Sequence, residues 1–330
     1  MSSNRIKHLV STSFLASTML AGAAFAQEKL LRIGMTAADI PRTHGQPDQG
    51  FEGNRFTGIP MFDSLTQWDL SSADKASVII PGLATQWVVD AADKTKWIFK
   101  LRPGVKFHDG SALTADAIVW NVEKVLNKDA AHFDPSQVGL TVSRMPTLRS
   151  ARKIDDLTVE LTTSEPDSFL PINLTNLYMA SPAHWAAKLA AVPASVSDPA
   201  ERAKQAWVAF ASDPSGSGPF KGLRLQPRER FEMVANKSYW DPARTPKIDR
   251  VVLIPLADSN ARTAALLSNQ VDWIESPAPT RCRRSRAVAS RSIPTRSPMS
   301  GRGNSRLRKA RPGSTSARAT RPTCASIAKS

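Results

Sequence analysis

The chain has 330 residues, a length that allows two or three domains and a sizeable core. Its net charge of +15 would indicate a nucleic-acid-binding protein, but the charge is unevenly distributed. Residues 281–330 hold twelve Arg, two Lys and no acidic residue, whereas residues 1–280 carry 30 basic and 29 acidic groups. The basic character therefore belongs to the tail alone. Cys282 and Cys324 also lie there, which leaves the body without thiols, as is compatible with an oxidising compartment.

The N-terminal segment, residues 1–26, predicts a secretory signal peptide. Arg5 and Lys7 precede a mostly apolar run over residues 9–25, and the sequence AFA at 24–26 matches the small-x-small pattern that signal peptidase cleaves. Several Ser and Thr residues make this run too polar and too short for a stable membrane span. We therefore expect cleavage after Ala26, export to the periplasm and a soluble mature protein.

A strand, a loop and a short helix follow the signal peptide. The segment KLLRIG at 29–34 predicts a buried strand, and residues 36–58 are rich in Gly, Pro, Asp, Asn and Thr, which is typical of a loop. Residues 61–68 (MFDSLTQW) predict a short helix with one apolar side. Loops on a rigid scaffold commonly form binding sites, although an ordinary surface connection is an equally good interpretation of residues 36–58.

Residues 97–120 contain a strand, two turns and the start of a helix. The sequence KWIFKLR at 96–102 alternates aromatic or aliphatic with charged residues, which indicates a strand with one buried face. Turn sequences follow, PG at 103–104 and DG at 109–110, and Val105 and Phe107 between them put apolar side chains on one side. We therefore expect a hairpin.

A helix follows the predicted hairpin. The Thr114 hydroxyl can accept hydrogen bonds from the first helical N–H groups, and Asp116 lies in the first turn, where the helix dipole favours negative charge. An apolar stripe recurs at helical spacing through residues 118–125, so we expect the helix to end near residue 126. Residues 128–150 show no sustained period.

The rest of the body predicts further strands and helices. Residues 157–161 alternate in polarity after a turn at 154–156, which indicates a half-buried strand. Segments 183–191 and 199–212 are rich in helix-forming residues. The remaining predicted elements are a strand around Phe231 and Met233, a fully buried strand at 251–254, a helix capped by Asp258 or Ser259 and ended by a left-handed Asn269, and a strand at 271–274.

Several motifs together resemble the extracytoplasmic solute-binding proteins of family 5, the peptide- and nickel-type receptors of ABC importers. The motifs are PGLATQW at 81–87, WIFKLRPGVKFHDG at 97–110 with LTAD at 113–116, GSGPF at 216–220, NKSYW at 236–240 and PKID at 246–249. Ser217 and Asn269 replace the Thr and Gly that the family usually has. The resemblance extends to about residue 279. It implies an α/β fold of the periplasmic-binding-protein type (class II, peptide-receptor type), with two lobes on a hinge and no catalysis.

The resemblance also assigns the domains. It implies that residues 27–65 and 165–279 form two parts of the first lobe and that residues 66–164 form an extra α/β subdomain. In the family, the chain crosses into the second lobe just after the strand that corresponds to residues 271–274. The second lobe is therefore expected to be missing from this chain.

Five residues are the candidate ligand contacts of the first lobe. Gln46, Asp48, Phe51 and Glu52 lie in the loop after the first strand, which faces the ligand cleft in the family. Tyr178 lies near the cleft in the family pattern. In dipeptide receptors of this family, the charged groups that hold the ligand termini belong largely to the second lobe, so none is assigned here.

No enzyme, cofactor or metal site is indicated. The five His residues have no H-x-x-x-H or C-x-x-C partners, and His108 beside Asp109 lies in the predicted hairpin turn, where a packing role is favoured over acid–base chemistry. The glycine-rich segment 215–220 lacks both the P-loop and the dinucleotide-binding spacing, which favours a simple turn. No G-x-S-x-G nucleophile elbow occurs.

Residues 280–330 predict a disordered basic tail, because the segment has no aromatic residue, no acid and no apolar period. A frameshift in a GC-rich gene is the favoured origin, since codons read off frame give mostly Arg, Ala, Pro and Ser. A one-base shift in a back-translation of residues 280–285 gives Asp-Ala-Val-Pro-Ala-Leu, which continues the body. A genuine basic tail is the alternative.

The sequence thus predicts the periplasmic substrate-binding component of an ABC importer, a monomer that delivers peptides or similar solutes to the permease subunits and is inactive or impaired as truncated. Two alternatives stay open. One is a basic-tailed interaction protein that binds an anionic polymer or a membrane surface. The other is a nickel or metal-chelate receptor of the same fold. No nucleic-acid partner is expected.

Overall fold

A computed structural model describes residues 28–40, 53–72, 74–277 and 326–328. The predicted signal peptide and most of the predicted tail lie outside them, and no helix among them is long and apolar enough to cross a membrane. The strands are β1 (Leu30–Met35), β2 (Thr66–Trp68), β3 (Ile79–Pro81), β4 (Ala84–Val89), β5 (Lys96–Leu101), β6 (Leu148–Asp155), β7 (Thr158–Thr163), β8 (Phe220–Gln226), β9 (Arg230–Ala235), β10 (Arg250–Pro255), β11 (Trp273–Glu275) and β12 (Ser326–Ala328). The α-helices are α1 (Ile59–Met61), α2 (Ala115–Leu126), α3 (Pro135–Arg144), α4 (Leu170–Asn173), α5 (Pro182–Ala190), α6 (Pro199–Ser212) and α7 (Ser259–Leu267).

The larger sheet has six strands in the order β12-β11-β1-β10-β9-β8. The first predicted strand, β1, is confirmed, and it pairs in parallel with β10 on one side and β11 on the other. The remaining pairs in this sheet are antiparallel. Arg32 of β1 donates to the Asp272 carboxylate from Nε at 3.0 Å and from Nη2 at 2.8 Å. This bidentate ion pair fastens the start of β11 to β1.

Residues 326–328 correct the prediction that the whole tail is disordered. They form β12, which pairs antiparallel with β11, with Ile327 opposite Ile274. An edge strand presents unpaired N–H and C=O groups, so a short extended segment can pair with it whatever its side chains are. Composition alone did not indicate this strand, because backbone pairing does not depend on a buried apolar face.

The smaller four-stranded sheet is antiparallel, in the order β4-β5-β7-β6, and α2 packs against it. Its core includes Phe99, Ile118, Val122 and Val159, each at most 1% exposed. The predicted strand at 96–102 and the apolar stripe of the following helix are therefore confirmed. This sheet lies within residues 66–164, the range that the resemblance assigns to the extra subdomain.

The hairpin predicted around Asp109 and Gly110 forms, although it is short. The Phe107 N–H donates to the Ser111 carbonyl at 2.9 Å and the Leu113 N–H donates to the Val105 carbonyl at 3.0 Å, on either side of the isolated bridge between Lys106 and Ala112. This short hairpin does not pair with β5, whose two neighbours are β4 and β7. The two turns form as expected, with Gly104 at φ 76° and Gly110 at φ 89°. Val105 and Phe107 are buried, so their alternation with Lys106 reflects core packing on one side of this short hairpin.

The helix predicted after residue 114 is confirmed as α2, but the predicted cap is not. Thr114 occupies the N-cap position with an extended backbone, and its side chain makes no capping hydrogen bond. The Ala115 N–H instead donates to the Asp156 carbonyl at 2.9 Å, so a tertiary contact satisfies the first helical donor. Asp116 lies in the first turn as expected and accepts from Lys153 Nζ at 2.7 Å.

One further local prediction is wrong, and one helix was not predicted. Residues 61–68 do not form a helix: the helical turn α1 ends at Met61, and Thr66–Trp68 pairs with β3. Helix α3, Pro135–Arg144, lies in the stretch that shows no sustained period. Its start nevertheless carries a capping signal, since Asp134 accepts from the Ser136 N–H at 3.0 Å and proline follows it directly.

The later helices follow their predictions. Ser181, Asp198 and Asp258 cap α5, α6 and α7, each accepting from a first-turn N–H group. Asn269 has φ 62°, the left-handed conformation expected for a residue that ends a helix.

Candidate ligand-binding face

Three parallel strands of the larger sheet, β10, β1 and β11, end at the same edge. In open α/β sheets, ligands bind outside the carboxyl ends of the strands. Residues 36–40 leave β1 at this edge, and residues 276–277 leave β11 there. The edge is therefore where the fold would place a ligand.

Four side chains meet at this edge, and we call them the edge face: Arg55, Phe56, Trp273 and Glu275. The first two come from a π-helical turn, Asn54–Gly58, and the last two from β11. The Phe56 and Trp273 rings pack edge to face with centroids 5.9 Å apart. The Arg55 guanidinium lies 5.7 Å from the centre of the Phe56 ring and donates to Glu275 Oε1.

Within the described residues, only one of the two carboxylate oxygens of Glu275 accepts a hydrogen bond. The Glu275 side chain is 13% exposed, whereas Arg55 is 48% exposed. Glu275 Oε2 is buried and has no hydrogen-bond partner within the described ranges. Buried carboxylate oxygens are nearly always hydrogen-bonded, so this oxygen is suited to accept an N–H donor from a bound molecule. Phe56 is buried, 5% exposed, so the partly exposed Trp273 is the aromatic ring of the edge face that suits contact with an apolar group of a ligand.

The predicted site residues are only partly described. Gln46, Asp48, Phe51 and Glu52 lie outside the described residues, so their predicted contacts stay predictions. Tyr178 is buried, 3% exposed, and its centroid lies 6.4 Å from that of Phe62. A Cβ on Gly58 would lie 2.6 Å from the Tyr178 ring, so this ring supports the turn that carries Arg55 and Phe56.

The edge-face residues were not among the predicted ligand contacts. Glu275 closes a short strand at its carboxyl end, directly before Ser-Pro, and this position was the available signal. Nothing in the sequence indicated Arg55 as a site residue, because its partner Glu275 lies 220 positions away in the chain.

Several of the sequence motifs converge elsewhere, on a second cluster that we call the motif junction: Asp63, His108, Gly216, Ser217, Gly218, Tyr239 and Trp240. The backbone N–H of His108 donates to the Gly216 carbonyl at 2.7 Å. The ring Nδ1 accepts from the Gly216 N–H at 3.3 Å, so Nε2 carries the proton and donates to the Gly218 carbonyl at 3.0 Å. Burial lowers the pKa of His108 to about 4. The ring is neutral and structural, as predicted.

Asp63 is the buried acid of the motif junction. Its Oδ1 accepts from the Tyr239 hydroxyl at 2.8 Å, and its Oδ2 accepts from Trp240 Nε1 at 2.8 Å and the Ser217 hydroxyl at 3.0 Å. Burial raises the pKa of this carboxyl, and the three donors oppose that rise. Both oxygens accept hydrogen bonds from the fold, and Asp63 is only 3% exposed, so a structural role is favoured over a ligand contact.

The glycine-rich segment belongs to this junction for steric reasons. A Cβ on Gly216 would overlap the Met61 carbonyl oxygen, and one on Gly218 would lie 2.5 Å from the Met61 carbonyl carbon. Glycine is required because two backbone segments pass in contact. This agrees with the interpretation of the segment as a turn rather than a phosphate-binding loop.

Two other features of the described residues do not compete with the edge face. Among these residues, no group of three or more His, Cys, Asp or Glu could hold a metal ion. A groove of about 950 Å³ lies between α6 and residues 128–136, with Trp207 and Val208 in its wall. None of the motifs, strand ends or predicted site residues contributes to it, so we assign it no role.

Comparisons with known proteins agree on one family. The family described as bacterial extracellular solute-binding proteins, family 5 (middle region), matches residues 78–301, so the match continues past residue 279, where the resemblance in the motifs ends. A putative ABC transporter peptide-binding protein of Brucella ovis is 28% identical over 283 residues, covering 82% of this chain and 47% of the relative. The dipeptide-binding protein of Escherichia coli is 26% identical over 255 residues, covering 72% and 44%.

Solved structures agree with the fold. A periplasmic binding protein of Helicobacter pylori in complex with the peptide STSA superposes with a TM-score of 0.63 at 22% identity, covering 78% of this chain and 48% of that one. A dipeptide-binding protein of a Pseudoalteromonas species in complex with Met-Leu gives 0.65 at 17% identity, covering 80% and 50%. The predicted fold class is thereby confirmed, and the chain spans about half the length of the proteins that it matches.

Proposed function

Because this chain belongs to the bacterial extracellular solute-binding proteins of family 5, we propose that it is the extracytoplasmic receptor of an ABC importer and that its solute is a peptide. The family match over residues 78–301 carries the proposal. Relatives named as peptide-, dipeptide- and glutathione-binding proteins support the peptide class. The receptor would bind its solute without chemical change and deliver it to the permease subunits, acting outside the cytoplasm.

The edge face supplies one wall of the proposed site. Glu275 Oε2, buried without a partner in the described structure, would accept an N–H group of the peptide. Trp273, which is partly exposed, would contact its apolar part, with the buried Phe56 ring supporting it, and Arg55 would hold the carboxylate in place. In this proposal, a second wall closes over the peptide because the closed state makes more contacts with it than the open state does.

This polypeptide spans about half the length of its relatives, so we propose that it binds peptides less tightly than a two-lobed form. A single wall leaves the peptide solvated on one side and provides only part of the contacts. Sequencing the locus tests the proposed frameshift: an open frame that continues from residue 280 and encodes a second lobe is expected. A locus with no such frame would leave the basic tail as the genuine product.

The peptide class is tested by titration calorimetry on two polypeptides, this chain and a form continued in the alternative frame. The probes are Met-Leu, Ser-Thr-Ser-Ala, glutathione and Ni²⁺. Saturable binding of at least one peptide by the continued form is expected. In that form, Glu275→Gln should weaken peptide binding about tenfold or more, since the amide replaces an acceptor with a donor.

Glu160→Gln is the matched control. Glu160 is another largely buried carboxylate, paired with Arg152 at 2.9 Å on the smaller sheet and remote in the fold from the edge face. Its replacement should leave peptide affinity unchanged. A continued form that binds Ni²⁺ and no peptide would refute the peptide class and favour the metal-receptor alternative.

A further inference from the structure

Arg262 of α7 is a buried arginine that binds backbone rather than an acid. It is 3% exposed. Four hydrogen bonds from its guanidinium go to the carbonyl oxygens of Leu256, Ala257, Glu275 and Ser276. The bonds to Glu275 and Ser276 measure 2.9 and 3.0 Å. A planar guanidinium with five fixed donors can hold several carbonyl groups at once, which a lysine ammonium cannot do with the same geometry.

The four carbonyls belong to two different strand exits. Leu256 and Ala257 follow the end of β10, and Glu275 and Ser276 stand at the end of β11. These strands lie on either side of β1, so the guanidinium bridges both exits at the edge where the edge face lies. One side chain thereby sets the relative position of two backbone segments that the sheet joins only through β1.

The backbone at the end of β11 needs such support. Ser276 has φ 45°, a left-handed conformation that a non-glycine residue seldom adopts. Such conformations persist only where the surrounding contacts determine them. The bonds from Arg262 Nε to the Glu275 carbonyl and from Nη2 to the Ser276 carbonyl lie on both sides of the Ser276 N–Cα bond.

We infer that Arg262 is a positioning residue for the ligand-binding face. It holds the backbone at 275–276, and with it both the Glu275 carboxylate and the direction in which the chain leaves the sheet. This inference rests on the proposed function for its meaning, since it assigns Arg262 to the wall that contacts the peptide.

Hydrogen exchange of the full chain, followed by mass spectrometry, tests the inference without any ligand. Arg262→Lys keeps the charge but not the fork of donors, and Arg262→Gln removes the charge as well. In both variants, peptic peptides covering 271–277 and 53–58 should exchange at least tenfold faster than in the parent chain. The second segment responds because Arg55 pairs with Glu275.

Arg202→Gln is the matched control. Arg202 of α6 also donates to three backbone carbonyls, those of Leu189, Pro193 and Val196, at the far end of α5. This variant should leave exchange at 271–277 unchanged while raising it near residues 189–196. The control shows whether faster exchange at 271–277 requires loss of Arg262 itself or follows from loss of any arginine that binds backbone carbonyls.

Two results would overturn the inference. Unchanged exchange at 271–277 in a folded Arg262 variant would show that the strand exits hold their conformation without the guanidinium. Failure of both Arg262 variants to fold, while Arg202→Gln folds, would make the residue a general stabiliser. Because no ligand is needed, failure of the peptide proposal would show in the titrations and not in these rates.

Discussion

The motif junction and the edge face use similar polar residues in opposite ways. At the junction, both Asp63 oxygens and both ring nitrogens of His108 have partners within hydrogen-bond distance. At the edge face, one Glu275 oxygen is paired and the other has no hydrogen-bond partner among the described residues. A saturated cluster stabilises the fold, whereas an unsaturated one can still bind. The motifs that identify the family therefore mark architecture, and the candidate ligand contacts lie outside them.

The largest effect is expected from Gly218→Ala at the motif junction. The new Cβ would lie 2.5 Å from the Met61 carbonyl carbon and 2.7 Å from the Phe62 nitrogen, which belong to one planar peptide unit and not to a flexible side chain that could move away. We expect a loss of about 3 kcal/mol or more, or failure to fold. Urea denaturation followed by circular dichroism measures it.

Gly139→Ala is the control for this change. Gly139 lies in α3, and a Cβ there would meet no heavy atom within 4 Å. Alanine should raise stability by about 0.5–1 kcal/mol, because it favours the helix. Equal effects of the two substitutions would contradict the view that backbone contact is what requires glycine at the junction.

Acid should destabilise the fold through His108. Burial lowers its pKa in the folded state from 6.5 to about 4, so the unfolded chain binds more protons between these values. Stability is then fully present above pH 6.5 and is lost as the pH falls through 4, by up to about 3 kcal/mol.

His108→Gln isolates this contribution. Glutamine can donate to the Gly218 carbonyl but does not titrate, so the loss of stability between pH 6.5 and 4 should shrink. The variant should still lose some stability over this pH range, because burial also lowers the pKa of His132 to about 4. Urea midpoints at half-unit pH intervals measure both. A variant with an unchanged pH profile would show that His108 does not titrate in this range.

Asp63→Asn should have a smaller effect, about 2 kcal/mol. An amide nitrogen cannot accept a hydrogen bond, so the Trp240 N–H and the Ser217 hydroxyl, or the Tyr239 hydroxyl, lose their acceptor. Asp74→Asn, at an exposed position, is the control and should stay within about 0.5 kcal/mol of the parent. Denaturation midpoints that do not differ between the two variants would mean that the junction tolerates an unsatisfied donor.

The fold was largely predictable from sequence where local pattern and tertiary packing agree. The strand at 29–34, the helix after residue 114 and the left-handed Asn269 all follow from periodicity or capping chemistry. Prediction was wrong where tertiary partners decided the outcome. Residues 61–68 have the apolar side typical of a short helix, but Thr66–Trp68 pairs with β3 instead.

The candidate site was much less predictable. The family resemblance directed attention to the loop after the first strand and to Tyr178, whereas the edge face depends on Glu275 meeting a turn 220 residues earlier in the chain. Pairings at that separation have no periodic signature in one sequence. The carboxyl end of a parallel strand was the one physical clue, and it could be used only once the strand order was known.

Among the substitutions at the two sites, the smallest loss of stability is expected from Glu275→Gln, and this small loss distinguishes the edge face from the motif junction. The paired arginine is 48% exposed, so the ion pair contributes about 1 kcal/mol or less to folding. Glutamine keeps the side-chain shape and can still accept from Arg55 through its carbonyl oxygen. A denaturation midpoint within about 1 kcal/mol of the parent, beside the larger losses at the junction, would show that Glu275 is not there to hold the fold. A loss of about 2 kcal/mol or more, the size expected for breaking a buried polar network, would place Glu275 with Asp63 among the structural acids. The edge face would then need another candidate for its acceptor.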